Sequence, residues 1–103
     1  LFVLVSPGPQ SRARAAVHEP QDLSALSVEI RDVSDDAAGQ ALAAAGLGRL
    51  DGDHAWLEVG ALRASGGGTA DWGTRFAAML SYARSQGWTD EQASRVRAHV
   101  IRT

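Results

Sequence analysis

Hydrophobic and polar residues alternate along some stretches of this chain and recur at helical spacing along others. Leu1 to Val5 is apolar, partly β-branched, and stopped by Ser6-Pro7-Gly8-Pro9, where two prolines fix φ and a glycine permits left-handed backbone. A strand followed by a loop is predicted there. Arg12 to His18 alternates weakly, whereas Leu26, Val28 and Ile30 alternate cleanly with Ser27, Glu29 and Arg31, the period of a strand with one buried face. Glu19-Pro20-Gln21-Asp22 between them reads as a hairpin connection.

Ser34-Asp35-Asp36 offers a capping hydroxyl and two carboxylates for the first turn of a helix, where the dipole favours negative charge. Ala38, Ala41, Leu42 and Ala45 then share one face, and Gly46 or Gly48 supplies the stop. So small a face predicts close packing against a sheet or another helix. His54 to Val59 fits either period, and we read it as a strand running into a helical turn at Ala61 to Ala64. Ser65-Gly66-Gly67-Gly68-Thr69 is a break. Trp72, Phe76, Met79 and Ala83, joined by Leu80, form the best amphipathic stripe in the chain, predicting a buried helix face that ends at Gly87. Thr89-Asp90-Glu91-Gln92 has capping-box form and predicts a helical turn. Beyond it Ala93, Val96 and Val100 suit a helix, but Val96, Ala98 and Val100 also alternate with Arg95, Arg97 and His99, and the strand is preferred.

These elements predict one α+β domain over residues 1–103: a single small sheet of about four or five strands with two main helices packed on one face. Composition narrows the function classes. Hydrophobic residues make up 45% and charged residues 21%, the balance of a chain that folds. A net charge of -2 disfavours nucleic acid and anionic membrane surfaces as partners. Without cysteine there is no disulfide, thiolate metal site or cysteine nucleophile. No apolar run approaches the roughly 18 residues of a membrane span, so a soluble, cytoplasmic protein is expected. The chain starts at Leu1 rather than methionine, which leaves room for an upstream targeting peptide.

Candidate chemistry is sparse. Asp51-Gly52-Asp53-His54 with Glu58 is the densest polar cluster, and a carboxylate beside His54 suits proton transfer or cation binding. Calcium-loop spacing would put Ala55, Trp56 and Leu62 where a ligand, a glycine and a glutamate belong, and no H-E-x-x-H zinc pattern occurs. The simpler reading is a turn leading into a strand, and neither a metal nor a cofactor is expected. The glycine run before a helix suits phosphate only weakly, since the chain has no lysine and Asp71 would repel an anion. A connector, or a mobile lid over a pocket, fits it better. Trp72 belongs to the core stripe. Trp88, just after Gly87, either closes the core or stands exposed as a partner contact, and burial is favoured by the size of its ring. Arg95, Arg97 and His99 share one face of the last strand, with Arg102 opposite in parity, and form either an anion-reading row or a solvated face. No G-x-S-x-G elbow marks a nucleophile.

Two functions remain open. The first is a small accessory or protein-interaction domain, a homodimer or a partner of another protein, associating through Leu1 to Val5 or Arg95 to Ile101 as a sheet edge, or through Trp88. The N-terminal strand is the preferred edge, because the arginines of the last strand would repel a second copy. The alternative is a small enzyme or ligand-binding protein with a polar pocket near His54, Glu58 and the glycine-rich loop. The first predicts an exposed apolar patch or open edge with little concavity, the second a cleft with convergent titratable groups.

Overall fold

A computed structural model describes residues 1–9, 12–23, 25–66, 69–90, 92 and 94–103. Strands Phe2–Pro7 (β1), Ala13–His18 (β2), Ser27–Ile30 (β3), Gly48–Asp51 (β4), His54–Glu58 (β5) and Arg95–Arg102 (β6) form a six-stranded sheet in the order β2-β1-β3-β6-β5-β4. Helices Asp35–Ala44 (α1), Val59–Ser65 (α2) and Ala70–Ser85 (α3) complete the α+β architecture. The described residues thus carry six strands and three helices, against the four or five strands and two main helices predicted.

Three corrections share a cause. Residues 19–22 do not join a hairpin, because β1 lies between β2 and β3, antiparallel to the first and parallel to the second. The hairpin is instead β1–β2, closed by Gly8 N–H donating to the Arg12 carbonyl at 2.6 Å. Neither Leu1 to Val5 nor Arg95 to Ile101 is an edge, since β6 lies between β3 and β5. The strands that bury residues on the inner face, β1, β3, β5 and β6, take the central places, where two neighbours satisfy their backbone. The outer strands are β2 and β4, neither of which has a fully buried residue. The second of these is hidden in the sequence because Gly48 reads as part of a helix stop. It pairs with β5 across Gly52-Asp53, and Gly52 takes a φ of +62° at the first central position, as a type II′ turn requires.

Ser34 caps α1 as expected, its hydroxyl accepting from Ala37 N–H at 3.2 Å. Helix α1 packs against both outer strands, β2 and β4, as well as β1. Six flat strands would separate those edges by about 24 Å, more than twice the roughly 10 Å width of a helix. The sheet therefore curls around α1, and the alanines at 38 and 41 let the backbones approach. Val3, Val5, Val28, Ile30, Val96, Ala98, Val100, Ala55 and Leu57 line the inner face with Leu42, and no charged or polar side chain is buried among the described residues.

Helices α2 and α3 close the end of the sheet where β1, β3 and β6 begin and β2 and β5 finish. Thr69 caps α3 by accepting from Trp72 N–H at 3.2 Å. The Trp72 indole donates to the Pro20 carbonyl at 2.6 Å and stacks on Phe76 with ring centres 4.7 Å apart. Trp72, Phe76 and Ala83 are buried as the stripe predicts, whereas Met79 and Leu80 are only half-buried and flank the core. Trp88 is 37% exposed, so the favoured burial of its ring is corrected. The last strand forms as preferred. Thr89, however, bridges to Val96 instead of capping a helix, and Glu91 and Ala93 lie outside the described residues. Among those residues no helix is long and apolar enough to cross a membrane.

Truncating the stacked ring should be costly. Phe76→Ala is expected to lose about 3 to 5 kcal/mol in urea denaturation, with the half-buried Met79→Ala losing clearly less. A Cβ on Gly66 would overlap the Trp72 indole, so Gly66→Ala should cost about 1 to 3 kcal/mol by overpacking in the same assay.

Candidate functional site

Strand β6 changes neighbours along its length. On one side β5 accompanies Arg95 to His99, so the other side is shared: β3 starts pairing only at His99, and the segment 88–90 lies beside the earlier residues. Thr89 bridges to Val96, and Arg97 N–H donates to the Trp88 carbonyl at 2.7 Å. At this switch, between Leu26 before β3 and Trp88, a groove of about 900 Å³ opens.

Trp88 reaches its place through the end of α3. Gly87 adopts a φ of +77° and donates to the Arg84 carbonyl, while Trp88 N–H donates to that of Ala83 at 2.9 Å. This is a Schellman closure, whose usual apolar contact falls between the residue after the glycine and the last helical turn. Here that contact is aromatic: Tyr82 and Trp88 meet edge to face, 5.8 Å between ring centres. The groove thus has Trp88 and Tyr82 along α3 with Met79, Ala78 and Arg75, and Leu23 and Leu26 on the loop before β3.

The sheet contributes His54, Arg97 and His99 from the face opposite its buried residues. His54 and His99 are directly paired across β5 and β6, with their rings 6.1 Å apart, edge to face. No hydrogen bond or ion pair engages the Arg97 guanidinium among the described residues. Its neighbour Arg95 is committed, donating to Glu58 at 2.9 Å. Arg75 bonds Gln21, with its main-chain carbonyl 3.1 Å away, and lies 3.4 Å from Asp71.

The six candidate residues therefore separate. His54, Trp88, Arg97 and His99 come together in the groove, while Glu58 and Arg95 form an ion pair outside its lining. The acidic cluster around His54 also disperses: Asp51 accepts from the Trp56 indole at 3.1 Å and Asp53 pairs with Arg102 at 3.2 Å. Among the described residues no group of three or more His, Cys, Asp or Glu side chains converges as a cation site. Gly66 does not line the groove, and Gly67 and Gly68, the centre of the expected lid or phosphate loop, lie outside the described residues. Sequence reasoning missed Leu23, Leu26, Ala78, Met79 and Tyr82 as groove residues. The signal for the helix was a second flank at 75, 78, 79 and 82 beside the core stripe; for the loop there was none, because its partner lies some fifty residues away.

Asp90 holds the turn between Trp88 and β6. Its carboxylate accepts from Ser94 N–H at 2.8 Å, the Ser94 hydroxyl at 2.9 Å and Arg95 N–H at 3.3 Å. Desolvation opposes the charged form, but the hydrogen bonds from the Ser94 hydroxyl and the Arg95 and Ser94 amides, with the Arg95 charge, outweigh it and hold the carboxyl below the ordinary 3.8. No family model, curated protein or solved structure matches this chain.

A depressed carboxyl contributes stability that is present above its unfolded value and is lost as pH falls through its folded value. Acidification should therefore release Ser94 and Arg95 from Asp90. In NMR titration the Ser94 and Arg95 amides are expected to shift with a midpoint below 3.8, and Asp90→Asn should remove that transition while leaving the α3 amides in place.

Proposed function

We propose that this protein is a ligand-binding module whose groove takes one small amphipathic molecule. The observation that carries the reading is the groove itself: about 900 Å³ lined by Leu23, Leu26, Met79, Tyr82 and Trp88, with His54, Arg97 and His99 from the sheet and Arg75 from α3 among its polar groups. Small-molecule sites have this volume and this mixture, an apolar lining for affinity and sparse polar groups for orientation. The reading belongs to the second of the two functions left open by the sequence, moved from Glu58 and the glycine run to the opening beside Trp88.

An interaction domain has less support. Its preferred edge, β1, is paired on both sides, so a second copy would have to displace β2 or β3 to use it. Trp88, the other proposed contact, stands with Tyr82 at a concave site rather than on a flat patch.

The neutral probe octan-1-ol tests the groove without engaging charge. NMR titration should give saturable shifts confined to the Met79 methyl, the Trp88 indole and their neighbours. A Kd below about 1 mM is expected, equivalent to roughly 4 kcal/mol. Ala78→Trp, which fills the groove from an exposed helix position, should abolish them. Shifts scattered over the surface, or unchanged by Ala78→Trp, would overturn the reading.

A further inference from the structure

Resting on the groove just described, we infer that its ligand is an organic carboxylate: a single anionic head held by Arg97, His54 and His99, with an apolar body lying along α3 towards Tyr82 and Trp88. The charges around β6 carry this assignment. Of the row Arg95, Arg97 and His99, Arg95 is neutralised by Glu58. Arg97 is half-buried and has no ion pair or side-chain hydrogen bond among the described residues. An arginine without a counter-charge gains from an incoming anion a charge-assisted pair of hydrogen bonds. Its planar fork matches the two oxygens of a carboxylate, and the adjacent imidazoles of His54 and His99 supply further N–H donors.

One unpaired guanidinium suits one negative charge. Arg75, the other arginine of the groove, is engaged with Gln21 and Asp71. Asp22, the carboxylate in the lining, follows Gln21, the residue that Arg75 bonds. The body length follows from α3: the groove follows the helix from Arg75 to Tyr82, a rise of about 10 Å at 1.5 Å per residue.

Octanoate, octan-1-ol and octylammonium share a tail and differ in the head, so calorimetric titration of the three against the whole chain tests the inference. Octanoate should bind at least about tenfold more tightly than octan-1-ol, a gap of about 1.4 kcal/mol, and octylammonium more weakly than either. Arg97→Gln should bring octanoate down to the octan-1-ol level without altering octan-1-ol binding, and Arg95→Gln should leave octanoate within about twofold of wild type. Octan-1-ol binding as tightly as octanoate would overturn the carboxylate while leaving the groove standing. Failure of both probes to bind would overturn the groove reading and this inference with it. Should Arg97→Gln unfold, the comparison of the three heads on the wild-type chain still decides.

Discussion

Strand β6 is the constraint on which the architecture depends. It receives β5 antiparallel along Arg95 to His99 and β3 parallel along His99 to Arg102, and so joins two strand groups that are otherwise unconnected within the sheet. Val96, Ala98 and Val100 supply its inner face, and the buried residues of its neighbours continue that surface across the sheet. Without β6, α1 would have no continuous sheet to sit inside, and the curl that brings β2 and β4 to the same helix would be lost. The offset between its two partners also leaves a stretch of its backbone to segment 88–90, and the groove opens where that exchange occurs.

The ends of β6 are held by polar interactions of a different kind from its apolar middle. At its start, Asp90 gathers Ser94 and Arg95. At its end, Arg102 reaches Asp35 and Asp53 together with the Gly52 carbonyl, tying the strand to the first turn of α1 and to the β4–β5 turn. Such exposed pairs contribute little to global stability. Their effect is on geometry: they fix where the strand begins and which way its flanking segments leave. The aromatic corner of Tyr82 and Trp88 belongs to the same class, a helix closure whose apolar contact remains partly open to solvent.

That partial exposure connects the fold to the proposed activity. Met79 and Leu80 pack beside the core only partly covered, and Met79 lines the groove together with Leu23 and Leu26 of the loop before β3. An apolar surface left open beside an uncompensated arginine satisfies neither side chain type by itself. A ligand with an apolar body and one negative charge answers both, so the two observations converge on one chemistry.

Much of the local structure was legible from residue order. The alternation at Leu26 to Ile30 and Val96 to Val100, the Ser34 cap, the Trp72–Phe76 stripe and the Gly87 stop each depend on neighbours within a few positions, and local sterics and hydrogen bonding decide them. Period-2 alternation cannot say which strand lies on either side, and for that reason it points to β1 and β6 as edges and to β2 and β3 as a hairpin. Gly48 shows the limit at one residue: residue order offers Gly46 and Gly48 alike as the helix stop, but Gly46 at a φ of +69° makes that closure and Gly48 pairs with β5. Of the candidate residues, composition and spacing selected His54, Trp88, Arg97 and His99 along with Glu58 and Arg95. Only the tertiary structure divided them, because the cross-strand register places Glu58 against Arg95 and so leaves Arg97 without that partner. The sequence by itself determined most of the elements and the buried faces of β3, β6 and α1, but not β4. The strand order, the curl and the groove that α3 lines together with Leu23 and Leu26 were decided in three dimensions, where contacts between distant residues set what no local period records.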